Sequence, residues 1–447
     1  MTTDDLAFQL NAAGFVTADA ATRAAQARTV IDGFTSAVGH PPEWGWCVPG
    51  RIEVFGKHTD YAGGRSLVAA VPKGFVLVGA PREDGRVRLI DVRWGDTMEM
   101  AVADATSPYR GWANYVAVVV RRLAHNFHGA VLGADLAIVS DLPRAAGLSS
   151  SSALVVAVAS ALIRRARLDQ RDDFNAVIRT TLDLAGYLGA VENGLNFKSL
   201  TSVEGVGTHG GSEDHTAILT CRPNRLTAYS YVPVRHLDEA AMPDDWRFVI
   251  ASSGVHADKA GGAKDRYNRA SLLTRALLEV WNDATSEAAP TLAAALNGDP
   301  DRAKKLNGLV MKGGHPEYSD GALAQRLDHF VGEDGRILEA LRAFKQADAA
   351  ALASLSDDSQ RDADLLLDNQ VDETRTLAAL ARSTGAMAAS SFGAGFGGSV
   401  WAVTRASDAD EFGKAWVAAY GRACPTAKGV EWFVTRPAAS VTELRVG

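Results

Sequence analysis

One stretch constrains the fold more than any other: Pro143-Arg144-Ala145-Ala146-Gly147-Leu148-Ser149-Ser150-Ser151-Ser152-Ala153. Before it lies a short apolar run, Leu136 to Val139, that reads as a strand. After it comes an apolar segment, Ala153 to about Arg167, long enough for a helix. Strand, small-residue turn and helix therefore follow one another. The helix opens where its unpaired amides and partial positive charge suit an anion. The hydroxyls add donors for phosphate and oxygen ligands for Mg²⁺. A serine N-cap accounts for only one of the four serines. The chain holds no G-x-x-x-x-G-K-[ST], so this is not a Walker loop.

A second glycine-rich segment is Gly393-Ala394-Gly395-Phe396-Gly397-Gly398-Ser399. Residues 393, 395 and 398 satisfy G-x-G-x-x-G, but the dinucleotide fingerprint needs a strand before it and a helix after. The pattern here predicts a helical region before and a strand, Val400 to Thr404, after. NAD binding is rejected on that order. What remains is a tight structural turn or a turn packed against a ligand. The third segment runs from Gly50 to Gly64, G-R-I-E-V-F-G-K-H-T-D-Y-A-G-G. Arg51, Lys57, His58, Asp60 and Tyr61 place five polar side chains within eleven residues, a set suited to gripping sugar hydroxyls and equally to a solvated loop. No G-x-S-x-G elbow accompanies His209-Gly210-Gly211, and no H-E-x-x-H occurs, so hydrolase templates fit poorly.

The rest of the chain supplies the frame. Residues 1 to about 45 are alanine-rich with helical spacing and end at Pro41-Pro42. Phe75 to Gly79 and Val87 to Val92 read as strands joined by a turn at Arg82 to Gly85, and Trp112 to Phe127 as a helix. Thr201 to Asp214 reads as loop, and His215 to Cys221, Leu226 to Val234 and Trp246 to Ala251 as strands. The second half is mostly helical. With 447 residues, the expectation is an α+β protein of two domains, 1–225 and 226–447, with a boundary near 221–245. The 46 Lys+Arg against 53 Asp+Glu give a net charge of −7 with basic residues dispersed, which argues against nucleic acid. Cys47, Cys221 and Cys424 are too few and too far apart for a disulfide framework or a zinc knuckle. The acidic opening Met1-Thr2-Thr3-Asp4-Asp5 is unlike a signal peptide. The longest apolar stretch is too short to span a bilayer. A cytoplasmic protein without membrane partners, a monomer or weak homo-oligomer, is expected.

Together and in this order, the three segments resemble the GHMP kinase superfamily, and within it the galactokinases. The family's sugar signature is close to G-R-V-N-x-I-G-E-H-T-D-Y-N-x-G, its phosphate loop to G-L-S-S-S-A and its third motif to G-x-G-F-G-G. The resemblance runs from about Ile31 to Val403. It implies a two-domain fold with the active site in the cleft between the domains, ATP and Mg²⁺ as cofactors, and phosphoryl transfer to the anomeric hydroxyl of a sugar. Asp214 stands where the family carries its catalytic aspartate in C-G-I-M-D-Q, and Arg51 matches the arginine beside it. The resemblance assigns ATP to Gly147, Leu148, Ser149, Ser150, Ser151 and Ser152, sugar contact to Lys57, His58, Asp60 and Tyr267, and Mg²⁺ to Ser151 and Glu192, with Glu204 as the competing carboxylate.

Two positions depart from the pattern. Lys57 replaces the signature glutamate, and Glu53 replaces the asparagine two places after the arginine. In the family the glutamate accepts from hydroxyls at the far end of the sugar, and lysine has only donors. Either Lys57 donates to a hydroxyl or pairs with Glu53 and galactose is retained, or it meets the carboxylate of a uronic acid such as galacturonate. A third possibility is a sugar- and ATP-binding sensor without catalysis, although the serine loop, which such relatives have lost, is complete here.

Overall fold

A computed structural model describes residues 1–104, 108–143, 147–255 and 262–446. Arg144 to Ala146, at the start of the serine segment, lie outside the described residues.

The alanine-rich start forms a helical hairpin. Thr2 and Asp5 cap α1 (Thr3–Ala12) reciprocally. In α2 (Thr17–Val38), Ala20, Ala24, Ala27, Ile31 and Phe34 recur every three or four residues and make one buried face. Next come β1 (Trp44–Phe55) and β2 (Arg65–Pro81), paired antiparallel around the 57–64 turn, then β3 (Arg86–Asp91), β4 (Thr97–Ala101), α3 (Trp112–Asn126) and β5 (Ala134–Ser140). β5 inserts between β2 and β3, antiparallel to the first and parallel to the second. The turn at 82–85 thus joins strands that are not neighbours. The chain continues through α4 (Ser150–Ala166), α5 (Asp172–Val177), α6 (Thr181–Asn193), α7 (Glu213–Thr220), β6 (Arg225–Ser230) and β7 (Arg235–Ala241), the last two extending the sheet beside β2. α2 packs on one face of this sheet and α4 on the other. Alternation along β2 serves both: Val76, Val78 and Ala80 join the hairpin cluster, while Leu77 joins the main core with α4.

A second, four-stranded antiparallel sheet starts with β8 (Trp246–Ser252). It is followed by α8 (Gly262–Thr285), α9 (Leu292–Leu296), α10 (Pro300–Val310), α11 (Asp320–Gln346), α12 (Ala349–Leu365) and α13 (Asp372–Thr384). Strands β9 (Ala388–Phe392) and β10 (Ser399–Arg405), helix α14 (Ala409–Ala423) and strand β11 (Trp432–Thr435) complete it. β12 (Thr442–Leu444) then returns to pair with β1 as the eighth strand of the first sheet. This is the α+β, two-domain architecture expected. The change of sheet falls between Ala241 and Trp246, later than the 225/226 division. Among the described residues no helix is long and apolar enough to cross a membrane.

Three expectations need correction. His215 to Cys221 is not a strand; it belongs to helix α7, whose first turn carries Glu213 and Asp214, the charges that a helix N-terminus favours. The run Leu226 to Val234 ends its pairing at Ser230, and a further strand, β7, follows. Among the described residues β7 pairs only with β6, and its charged, exposed composition is that of an edge strand rather than of an apolar run. A strand, β9, precedes the third glycine segment where a helix was expected. It is small and weakly β-forming by composition, and pairing with β10 recruits it. The rejection of a dinucleotide site stands, because a strand and not a helix follows the turn.

Candidate active site

The three sequence segments meet at one end of β1. Arg51, inside the strand, donates from Nε to Asp214 Oδ1 at 2.8 Å and from Nη1 to the Gly147 carbonyl at 2.6 Å. Its Nη2 stands 2.6 Å from the same Asp214 oxygen. Two residues along, on the same face of the strand, Glu53 Oε2 accepts the Gly393 amide at 2.6 Å. The serine loop and the third motif also touch each other. A Cβ on Gly393 would stand 3.0 Å from the Gly147 carbonyl oxygen, and both residues hold positive φ, +81° and +75°. Glycine is required there by both space and backbone conformation. One strand thus anchors both turns.

Arg51 is 4% exposed. Burial alone would lower its pKa, but the carboxylates of Asp214, Glu213 and Glu53 outweigh that and raise it. The guanidinium is fixed as a cation at the floor of a cleft of about 490 Å³, open to solvent at its mouth. The lining includes Glu53, His58, Asp60, Glu192, Glu213, Asp214 and Tyr267, and comes from both halves of the chain. Burial drives the Glu53 carboxyl up to about 7, against the pull of Arg51, Lys57 and the Gly393 amide. Burial and the neighbouring Glu53 push Glu213 up as well, against Arg51.

α7 places Asp214 and α6 places Glu192. Ser152 Oγ bridges them, 2.9 Å from Glu192 Oε2 and 3.2 Å from Asp214 Oδ2. The serine that reaches Glu192 is therefore Ser152, one residue beyond the expected Ser151. Consecutive helical residues diverge by about 100°, so only one of the two can face this carboxylate. Glu192 lines the cleft, whereas the rival Glu204 is exposed on the preceding loop. His215 Nε2 stands 3.0 Å from Glu192 Oε2 but outside hydrogen-bond alignment. The oxygens of Ser152, Glu192 and Asp214 are the hard donors that Mg²⁺ prefers, and a few protein oxygens suffice for an ion that keeps waters and phosphate oxygens. No group of three His, Cys, Asp or Glu with metal-holding geometry exists among the described residues.

Asp60 accepts the Glu213 amide at 3.0 Å and the Tyr61 amide at 2.8 Å, tying the sugar-signature turn to the start of α7. Gly211 makes that approach possible, since a Cβ there would stand 2.2 Å from Asp60 Oδ2 and 2.8 Å from the Tyr61 amide. Gly211→Ala is expected to cost about 1–3 kcal/mol through overpacking and to raise the sugar KM at least tenfold. Melting curves and steady-state kinetics check both. Tyr267, from α8, lies with its ring 5.1 Å from that of His58. His58 itself fastens the turn: Nε2 faces the Ala394 carbonyl at 3.1 Å and Nδ1 the Tyr61 hydroxyl at 2.9 Å.

Lys57 does not line the cleft. Its ammonium, 1% exposed, donates to Ser359 Oγ at 2.6 Å and Ser390 Oγ at 3.0 Å and stands 3.9 Å from Glu333 Oε1. Among the described residues its carboxylate partner is Glu333 of α11 rather than Glu53. Burial lowers the Lys57 pKa against the attraction of Glu333. Burial would raise Glu333, but Lys57, the Gly56 amide and Arg336 together hold it below the usual glutamate value. Several structural residues gave no sequence signal. Arg326 of α11 donates to the His58 carbonyl and the Tyr61 hydroxyl. The Asn193 side chain accepts from Thr208 and Gly210 at 2.8 Å and so holds the loop before α7.

Three family profiles match: the galactokinase galactose-binding signature at 32–81, the GHMP kinases N terminal domain at 114–194 and the GHMP kinases C terminal at 338–423. A galactokinase of Lactobacillus helveticus is 29% identical over 381 residues, covering 82% of this chain and 87% of that one. One of Streptomyces coelicolor is 28% identical over 415 residues, covering 88% and 92%. The fold superimposes on Lactococcus lactis galactokinase, solved with galactose, with a TM-score of 0.75 at 24% identity over 93% of this chain and 99% of that one. Fold and matched segments thus define a GHMP kinase. Within that superfamily the chain belongs to the galactokinase family, phosphotransferases that act on a sugar hydroxyl.

Proposed function

We propose that this protein is an ATP-dependent sugar 1-kinase that phosphorylates the anomeric hydroxyl of D-galactose to give galactose 1-phosphate. The observation that carries this reading is the Arg51–Asp214 pair at the point where the serine loop, the sugar signature and the third glycine turn converge. ATP phosphates lie over Gly147 to Ser152 at the N-terminus of α4. Asp60 and Tyr267 hold the sugar with its anomeric oxygen facing Asp214. Asp214 takes the hydroxyl proton as the new O–P bond forms and the β–γ bridging P–O bond breaks, releasing ADP. Arg51 offsets the carboxylate charge and fixes its orientation. Ser152 and Glu192, rather than Ser151, are the residues to hold Mg²⁺, which supplies charge neutralisation at the phosphate oxygens when bound.

The lining of the cleft favours galactose over a uronate. Five carboxylates, Glu53, Asp60, Glu192, Glu213 and Asp214, line it against Arg51, and Lys57 is engaged elsewhere. With Arg51 and Lys57 already paired to protein carboxylates, a substrate carboxylate would be desolvated there without a cation of its own, at a cost of several kcal/mol. The kcat/KM for D-galactose is therefore expected to exceed that for D-galacturonate by at least about a hundredfold, the equivalent of about 3 kcal/mol. Coupled-assay kinetics on the two sugars side by side test this. Preference for the uronate would overturn the reading.

A further inference from the structure

The cleft holds more carboxylate than the phosphoryl-transfer chemistry uses, and one carboxylate is placed to read the sugar. Several acceptors of the site are committed, and Glu213 Oε1 stands 3.5 Å from Arg51 Nε. Asp60 receives one backbone amide on each oxygen, both ring nitrogens of His58 are engaged with Tyr61 and Ala394, and Asp214 is held by Arg51 and Ser152. Lys57 has left the cleft for Glu333. Glu53 differs from all of these. Its Oε2 is pinned by the Gly393 amide at 2.6 Å. Its Oε1 has no hydrogen-bond donor among the described residues, and the side chain lines the cleft beside Gly393 and Ala394. It lies two residues along β1 from Arg51, about 6.6–6.8 Å from it along the strand and on the same face. A fixed acceptor at that spacing suits a second hydroxyl of a bound sugar.

We propose that Glu53 is a specificity-determining residue whose free carboxylate oxygen accepts a hydrogen bond from a sugar hydroxyl other than the anomeric one. This rests on the sugar-kinase reading above. A hydroxyl donor compensates a carboxylate that is otherwise buried without a full set of partners, which explains why so costly a group is kept in the cleft. Arg51 and Lys57 on its own segment and Glu213 and Asp214 of α7 are the charged groups around it.

Glu53→Gln tests the proposal, because glutamine keeps the bond from Gly393 and turns the atom facing the cleft from acceptor into donor. The expected result is a rise in the galactose KM of tenfold or more, with kcat within about threefold and the KM for ATP unchanged. A series of monodeoxygalactoses then identifies the hydroxyl. One analogue should lose tenfold or more in kcat/KM with the wild-type protein and little with Glu53→Gln. If Glu53→Gln proves unstable, Glu53→Asp, which shortens the acceptor, serves for the same comparison. A galactose KM within twofold of wild type, or equal penalties for every deoxy sugar in both proteins, would overturn the proposal and leave the kinase reading standing. Absence of sugar-dependent ADP formation by the wild-type protein would overturn both.

Discussion

Asp214→Asn is expected to lower kcat by about 10²- to 10⁴-fold, the range for a lost general base, while the KM for ATP stays unchanged. The substitution is close to isosteric. The asparagine oxygen can still accept from Arg51, which reaches Asp214 Oδ1 at 2.8 Å, and the Ser152 hydroxyl can remain beside it, so positioning survives. What disappears is the carboxylate that takes the proton, and with it the counter-charge of a buried guanidinium. Gly147 of the serine loop, 96 residues beyond Arg51 in sequence, is bound to Arg51 through its carbonyl, a contact that the substitution does not touch. Single-turnover kinetics with saturating galactose measure the effect on the chemical step directly. Activity within threefold of wild type would remove Asp214 from the chemistry.

Glu333→Ala is the second large effect, expected in stability rather than catalysis. Glu333 is fully buried and accepts from the Gly56 amide at 2.9 Å, Ser359 Oγ at 3.0 Å and Arg336 Nη1 at 3.0 Å. Among the described residues it is the carboxylate within 4.0 Å of the Lys57 ammonium. Removing it strands that ammonium in a dry site, which costs about 3–5 kcal/mol. Arg336 keeps Asp362 as a partner. Lys57→Met is expected to cost less, since Glu333 would retain Arg336, Ser359 and two backbone amides. It should also leave the kcat/KM for galactose within a few-fold of wild type, because Lys57 lies outside the cleft. Chemical denaturation of the two variants orders the costs. A Lys57→Met penalty as large as that of Glu333→Ala, or a collapse of galactose turnover in Lys57→Met, would contradict this assignment.

Local sequence carried the parts of the site that sit in short motifs. Arg51, Asp60, the serine turn and Gly393 could be read because glycine spacing and polar clustering are local signals, and Asp214 and Glu192 followed from the resemblance built on them. The fate of Lys57 could not be read. Its partner lies 276 residues downstream on α11, and nothing in the segment Gly56-Lys57-His58 reveals whether an ammonium points into the cleft or behind it. The choice of Ser152 over Ser151 depends on the phase of α4, which is set by where the helix starts and not by how many serines precede it. At the level of the fold, long periodic helices such as α2 and α3 were legible. The short elements α7 and β9 were not, because eight and five residues carry too little periodicity to separate helix from strand.

Incubation of the purified protein with ATP, Mg²⁺ and D-galactose, followed by phosphorus NMR of the product, tests the central reading most directly. The expected result is a sugar-dependent signal of galactose 1-phosphate appearing in step with ADP. Phosphate on any other hydroxyl, or the absence of sugar-dependent ADP, would contradict it.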